Sequence, residues 1–168
     1  MGHSMGGAEV LTYAALGPSE TRRHIRGYLA EAPFIALHPA TRPYKATVVV
    51  GRLAARLVPW FQMENKLQAE LLSRDPEVCR RFVEDELCHD LGTLEGLAGM
   101  LDRAGDLERG AVIIRDGEGE GEATRVWVSH GTADGVCEFG ATKKWFDRLD
   151  IRDKELKVYE GWYHQCEF

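Results

Sequence analysis

A serine, an aspartate and a histidine occupy positions in this chain from which they could carry out nucleophilic catalysis. Residues 2–6 read G-H-S-M-G. This G-x-S-x-G pattern is typical of a serine nucleophile on a sharp strand-to-helix turn, where the flanking glycines leave room for a strained backbone. The backbone N–H of Met5 would then point towards a developing oxyanion. A glycine-rich turn before an ordinary helix is the alternative interpretation of the pattern.

The candidate acid and base each follow an apolar run that reads as a buried strand. Asp134 comes after residues 125–130 (R-V-W-V-S-H), and His164 comes after residues 156–160 (L-K-V-Y-E). Parallel strands place their chemistry at their carboxyl ends. His164 could accept the proton of Ser4, and Asp134 could hold the imidazole in the required tautomer. Alone, Asp134 could be a turn former and His164 a surface residue, but the joint order favours catalysis.

Two further histidines stand close to these segments. His3 lies inside the G-x-S-x-G pentapeptide, where packing is the favoured interpretation. His130-Gly131 could be mistaken for an oxyanion loop, but it precedes the candidate acid and receives no such assignment.

Helices and strands alternate at both ends of the chain, which predicts an α/β fold. A helix is expected from Met5 to Leu16, ended by Gly17-Pro18, and a strand is expected over residues 25–32. Another helix is expected from about Phe139 to Leu149, between the two strands that carry the acid and the base. The charged, glycine-rich tract 116–122 is predicted to be a mobile loop.

The segment 38–109 has a different pattern and is predicted to be an all-helical insert. Helices are expected over residues 47–61 and 64–73, from Pro76 to about His89, and after an N-cap at Thr93. This divides the chain into a core of residues 1–37 and 110–168 and an insert of residues 38–109.

Composition excludes several classes of protein. The net charge of −6 argues against a nucleic-acid-binding surface. The four cysteines form no C-x-x-C pair and lack a histidine cluster at zinc spacing, so no metal site is predicted. This pattern is typical of free thiols in a reducing compartment, so the sequence predicts a cytoplasmic protein. No apolar run approaches the ~20 residues that span a bilayer.

Three segments together resemble the monoacylglycerol lipases of the α/β-hydrolase superfamily. They are residues 2–7 (G-H-S-M-G-G), 129–134 (S-H-G-T-A-D) and 159–164 (Y-E-G-W-Y-H). Many hydrolases share the first segment, whereas the second and third together are more specific. Residues 73–76 (S-R-D-P) also resemble an S-x-D-P stretch of that family's cap. The resemblance covers essentially the whole chain.

The resemblance implies a carboxylic ester hydrolase that needs no cofactor. Its fold would be a partial α/β-hydrolase sheet of C-terminal parallel strands with an inserted helical cap. Ser4, Asp134 and His164 would form the catalytic triad, with Met5 as an oxyanion donor. The substrate would be a lipid ester, foremost a monoacylglycerol cleaved to fatty acid and glycerol. An aminopeptidase, a lysophospholipase or another esterase on the same scaffold are alternatives, because the cap and pocket set the substrate.

The cap is expected to guide the acyl chain and to contact a membrane or lipid droplet. Leu53, Leu57 and Phe61 are the candidate residues for these contacts, and simple packing against the core is the alternative.

The resemblance also predicts that this chain corresponds to the C-terminal part of such an enzyme. Only three residues precede Ser4, and the family's H-G-x-G oxyanion loop and the strand before the nucleophile lie outside this sequence. Phe168 follows His164 too closely for a closing helix. The strand 25–32 is then expected to have an open edge, and an inactive fragment is the alternative to an enzyme.

Overall fold

A four-stranded parallel sheet forms the centre of the structure, a computed structural model that describes residues 1–88 and 90–165. The strands lie in the order β1-β2-β5-β6, and every neighbouring pair is parallel. Their bounds are β1 Gly2–His3, β2 Tyr28–Glu31, β5 Arg125–Gly131 and β6 Asp153–Tyr159, while β3 Gln62–Glu64 and β4 Leu91–Thr93 form a separate antiparallel pair. The helices are α1 Met5–Leu16, α2 Ser19–Arg22, α3 Lys45–Leu57, α4 Pro76–Glu84, α5 Leu94–Arg109 and α6 Phe139–Asp147.

The core lies between the sheet and the helices that pack on it. Ala30, Val126 and Val128 in the central strands are almost completely inaccessible to solvent. Leu11 of α1 and Trp145 of α6 belong to the same hydrophobic cluster. Burial is deepest in β5, whereas β6 has no buried residue, so the sheet is covered less at this edge.

The residues before Ser4 form a short strand that pairs with β2, which corrects the expectations that the strand before the nucleophile lies outside this sequence and that the strand 25–32 has an open edge. Gly2 lies opposite Ala30 and His3 opposite Glu31, so β1 adds a short fourth strand to the sheet. The backbone extends this pairing, since the Ser4 N–H donates to the Glu31 carbonyl over 2.9 Å. Two residues are therefore enough to align the nucleophile turn with the sheet.

The segment between the second and fifth strands is mostly helical but contains two strands that the sequence did not reveal. The helix expected over residues 64–73 is wrong: β3 occupies residues 62–64, and only a 3-10 turn, Ala69–Leu71, follows. The helices expected at Pro76 and after Thr93 are confirmed. The Thr93 hydroxyl accepts the Gly96 N–H and caps α5. His89, the expected end of the third helix, lies outside the described residues, as does Cys166.

Helix α5 connects this segment to the core. Its buried residues Ala104 and Leu107 lie in the second half of the helix and belong to the main hydrophobic cluster. The helix contacts α3 within the segment and both α1 and α6 in the core. The division into a core and a cap over residues 38–109 therefore remains a proposal, with α5 shared between the two.

The glycine-rich tract 116–122 is held in place rather than free. The Glu118 carboxylate pairs with the buried Arg22 guanidinium, and the Glu118 N–H donates to the Thr124 hydroxyl. The Glu120 N–H donates to the Ile25 carbonyl over 3.0 Å. Polar composition predicted a mobile loop here, and it could not reveal these contacts to a distant part of the chain.

Candidate active site

Ser4 occupies the strained turn that the G-x-S-x-G pattern predicts. Its backbone has φ 55° and ψ −118°, a conformation that L-residues rarely adopt, at the junction of β1 and α1. A Cβ on Gly2 would lie 2.2 Å from the Gly6 carbonyl oxygen, so only glycine fits at that position. A Cβ on Gly6 would meet nothing within 4 Å. A side chain would therefore collide at Gly2 but not at Gly6, and the collision at Gly2 would be with the backbone of Gly6.

The first turn of α1 presents unsatisfied backbone donors next to the serine. The Ala8 N–H is bonded to the Ser4 carbonyl over 3.1 Å, as an ordinary intrahelical bond. The N–H groups nearer to the helix start, including that of Met5, have no carbonyl of the preceding turn to bond. A developing negative charge on a group bound at Ser4 would find donors and a favourable helix dipole here.

Asp134 lies completely buried at the carboxyl end of β5 and accepts four N–H groups. Its Oδ1 accepts the backbone N–H of Val136 and Cys137, at 2.8 and 2.9 Å. Its Oδ2 lies 2.8 Å from His164 Nδ1 and 3.0 Å from His130 Nε2. Each oxygen of the Asp134 carboxylate thus accepts two hydrogen bonds, and these bonds fix the orientation of the carboxylate.

This arrangement keeps the acid ionised. Burial alone would raise the pKa of Asp134, but the hydrogen bonds from His130 and His164 outweigh burial and hold the pKa far below its usual range. Because an ionised carboxylate can only accept, both imidazoles must donate to it. The Nδ1 atom of His164 therefore carries a proton, which leaves its Nε2 available as a base.

The loop that carries His164 is tied to the loop that carries the acid. The Ala133 N–H donates to the Trp162 carbonyl, and the Gly161 N–H donates to the Thr132 hydroxyl. A Cβ on Gly131 would lie 2.2 Å from the Trp162 carbonyl oxygen, so the two loops approach closely where β5 ends. Asp134 and His164 therefore follow the ends of two adjacent strands, β5 and β6, which is where the sequence placed them.

Ser4 lies beside this pair, and His3 and Cys137 connect it to them. The His3 ring packs against the His164 ring with centroids 4.6 Å apart, and His3 Nε2 lies 3.2 Å from the His164 carbonyl oxygen. Burial raises the pKa of the Cys137 thiol well above its usual range, and a hydrogen bond with the Ser4 hydroxyl opposes that rise. Ser4 and His164 both lie close to Cys137, and no direct hydrogen bond joins the two among the described residues. Such bonds often form only when substrate is bound.

Two residues of this cluster were not predicted from the sequence, namely His130 and Cys137. Both are fully buried beside Asp134. The signal for His130 was its place at the end of a strand four residues before the acid, but its contact depends on how the loop folds back. Cys137 carried no signal, because a single cysteine after a turn is common.

Of the residues that the structure describes, Asp134, Cys137 and His164 form the group that comes nearest to a metal site. One ligand atom from each lies within 4.8 Å of the others. However, N–H donors already occupy both carboxylate oxygens, and burial disfavours the thiolate that a metal would require. The donor set therefore suits proton transfer better than metal coordination.

An apolar cavity of about 420 Å³ lies within the inserted segment and borders the loop after β5 at Val136, whereas Ser4, Asp134 and His164 are not among the residues that line it. Its lining includes Leu37 and Val136 of the core, together with Val48, Leu71, Leu97 and Met100 of the insert. The three cap residues predicted from sequence lie elsewhere: Leu53, Leu57 and Phe61 are 55, 79 and 57% exposed, and none of them lines this cavity.

Comparisons with known proteins identify the family of this chain. The chain matches the family described as "Serine aminopeptidase, S33" over residues 1–168. It is 30% identical to the monoacylglycerol lipase of Mycolicibacterium smegmatis over 167 residues. This alignment covers 98% of this chain and 54% of that protein.

Two solved structures share the fold. The monoacylglycerol lipase of Paleococcus ferrophilus has a TM-score of 0.80 at 27% identity, over 98% of this chain and 58% of that one. A soluble variant of the Saccharomyces cerevisiae monoglyceride lipase, in complex with a substrate analog, has a TM-score of 0.79 at 25% identity, over 98% and 55%. The chain thus spans about half the length of the relatives it matches. It belongs to the serine aminopeptidase S33 family and has the fold of a partial, monoglyceride-lipase-like α/β-hydrolase.

Proposed function

We propose that this chain carries the catalytic triad of a serine hydrolase that cleaves carboxylic esters of lipids, foremost monoacylglycerols. Ser4 is the nucleophile, His164 the base and Asp134 the orienting acid. The observation that carries the proposal is the buried Asp134 carboxylate, which lies 2.8 Å from His164 Nδ1, beside a serine in a strained strand-to-helix turn.

The reaction follows from these positions. His164 Nε2 takes the hydroxyl proton as Ser4 Oγ attacks the ester carbonyl, and the Met5 N–H stabilises the resulting oxyanion. The intermediate collapses, His164 returns its proton to the departing glycerol oxygen, and an acyl-serine remains. Water then attacks the acyl-serine while His164 accepts its proton. This second intermediate collapses, His164 returns the proton to Ser4 Oγ, and the fatty acid is released. Asp134 stays ionised throughout and stabilises the charged imidazole.

The cavity favours a lipid over a peptide substrate. Recognition of a free amino terminus would require a carboxylate near the site. Among the described residues that line the cavity, the charged ones are Arg52 and Lys66, both cationic, and most of the others are apolar. An acyl chain fits such a lining, because its burial is favourable without any polar partner.

The outer surface of the insert suits contact with a lipid surface. Leu53, Leu57, Trp60 and Phe61 are all more than half exposed around the end of α3. Large apolar side chains grouped on one surface are typical of sites that bind proteins or membranes. In the described part of the chain, no helix is both long enough and apolar enough to cross a bilayer.

Labelling with a fluorophosphonate probe tests the nucleophile. We expect mass spectrometry of the labelled chain to place the phosphonate on Ser4, since among the described residues only this hydroxyl has a base and oxyanion donors beside it. Ser73 and Ser129 are buried serines that serve as internal controls and should remain unlabelled. Labelling that persists in Ser4→Ala would contradict the proposal, and preferential turnover of aminoacyl anilides over monoacylglycerols would favour an aminopeptidase.

Substitutions in the cavity and substitutions on the exposed surface should affect hydrolysis of different kinds of substrate. Ala98→Phe fills part of the cavity, so we expect kcat/KM for long-chain monoacylglycerols to fall about tenfold, since excluding roughly two methylenes costs ~0.8 kcal/mol each. Hydrolysis of a short soluble ester should change little. The double variant Leu57→Ser, Phe61→Ser should instead weaken turnover only when the substrate is presented in vesicles. Equal losses by both variants on every substrate would show simple destabilisation.

A further inference from the structure

A second histidine shares the carboxylate oxygen that orients the proposed base. His130 is fully buried, and its Nε2 lies 3.0 Å from the same Asp134 Oδ2 that lies 2.8 Å from His164 Nδ1. The proposed reaction uses one imidazole, so the second needs a separate explanation.

The protonation pattern of His130 follows from its surroundings. Since Asp134 is ionised, the Nε2 atom must carry a proton in order to donate to it. The other ring nitrogen, Nδ1, is buried and has no hydrogen-bond partner among the described residues. A proton on Nδ1 would lack an acceptor, which is costly in a buried site. The arrangement therefore selects the neutral tautomer with its only proton on Nε2.

The position of the ring is determined by packing as well as by this bond. The Phe139 ring meets the His130 ring edge-on, with centroids 5.7 Å apart and an interplanar angle of 75°. His130 is also the sixth residue of β5 and pairs with Val158 of β6. The strand pairing and the contact with Phe139 together direct His130 Nε2 towards the Asp134 carboxylate.

On the basis of the proposed function, we infer that His130 is a positioning residue for the reaction. By donating to Oδ2, it holds the Asp134 carboxylate in the orientation that His164 needs and stabilises its ionised form. It does not touch the substrate and acts only through Asp134. Backbone donors hold Oδ1 in the same way, so the carboxylate is fixed from two directions.

A matched pair of substitutions separates this role from simple filling of space. Gln and Met have similar length, but only the Gln amide can donate a hydrogen bond from near the Nε2 position. We expect His130→Gln to react with a fluorophosphonate at a rate within about threefold of the wild-type chain. His130→Met should react roughly ten to a hundred times more slowly, as is typical when a hydrogen bond to a charged group is lost. The exposed His24→Met serves as a surface control and should leave the rate unchanged.

Nitrogen NMR of the histidine side chains supplies a readout independent of reactivity. At neutral pH, His130 should show a protonated Nε2 and an unprotonated Nδ1. The proton between His164 Nδ1 and Asp134 should shift in His130→Met and remain near its wild-type position in His130→Gln. Protonation of His130 Nδ1, or equal rates and spectra for the Gln and Met variants, would overturn the inference. If the wild-type chain is not labelled at Ser4, the proposed function fails, and the spectra alone then decide the role of His130.

Discussion

Replacing Asp134 by asparagine should lower kcat for ester hydrolysis by about ten-thousand-fold, the loss typical when a triad aspartate becomes an amide. The asparagine oxygen would remain with the two backbone N–H groups that now bind Oδ1. Its NH₂ group would then face His164 Nδ1 and donate to it. His164 would have to carry its proton on Nε2, where it could no longer accept one from Ser4.

The measurement is the steady-state kcat for a monoacylglycerol, together with the rate of fluorophosphonate labelling. Asp147→Asn is the matched control, because this carboxylate is exposed on α6 and, within residues 1–88 and 90–165, forms an ion pair with Lys143 alone. It should leave both rates near those of the wild-type chain. An Asp134→Asn chain that keeps its fold and loses less than about tenfold would remove Asp134 from the proposed mechanism.

Adding one methyl group at Gly2 should cost at least about a hundredfold in the rate of labelling at Ser4 and should lower the melting temperature. The new Cβ of Gly2→Ala would lie 2.2 Å from the Gly6 oxygen and 2.8 Å from the Gly7 nitrogen. Both contacts are with backbone, so β1 and α1 would have to separate. A displacement of about 1 Å at a reacting group is enough for a hundredfold loss.

Gly6→Ala is the matched control, since it belongs to the same pentapeptide and its Cβ would meet no atom within 4 Å. Alanine is also the better helix former, by about 1 kcal/mol in a helix interior. This variant should therefore unfold at the same or a higher temperature and retain its labelling rate. Equal melting temperatures and labelling rates for the two alanine variants would show that the turn is not sterically constrained as described.

Local patterns in the sequence predicted most of the candidate site. The G-x-S-x-G pentapeptide and the helix that follows it need only neighbours in the chain, and α1 has the predicted bounds, Met5–Leu16. Asp134 and His164 could be placed together because each follows a recognisable apolar strand. Such features depend on glycine sterics, helix periodicity and strand ends, all of which can be read within about fifteen residues.

Features that depend on distant partners were not predictable. Strands β3 and β4 are only three residues long, and each is stabilised by the other rather than by its own composition. Periodicity in α3 revealed an apolar face, but it could not indicate that Leu53 and Leu57 face outwards while Val48 lines the cavity. The role of His130 similarly depends on a loop that folds back onto its ring.

The order of the strands has a consequence for the speed of folding. The pairing of β2 with β5 joins two neighbours in the sheet that lie on opposite sides of the whole inserted segment. Every pairing in this sheet is parallel, so none of them can form through a tight hairpin. Helices such as α1 and α5 can form from local contacts, whereas the sheet must first close long loops at an entropic cost. We expect the ends of β5 and β6, and with them the alignment of Asp134 and His164, to be completed late, so that reactivity recovers after helical structure when the chain refolds.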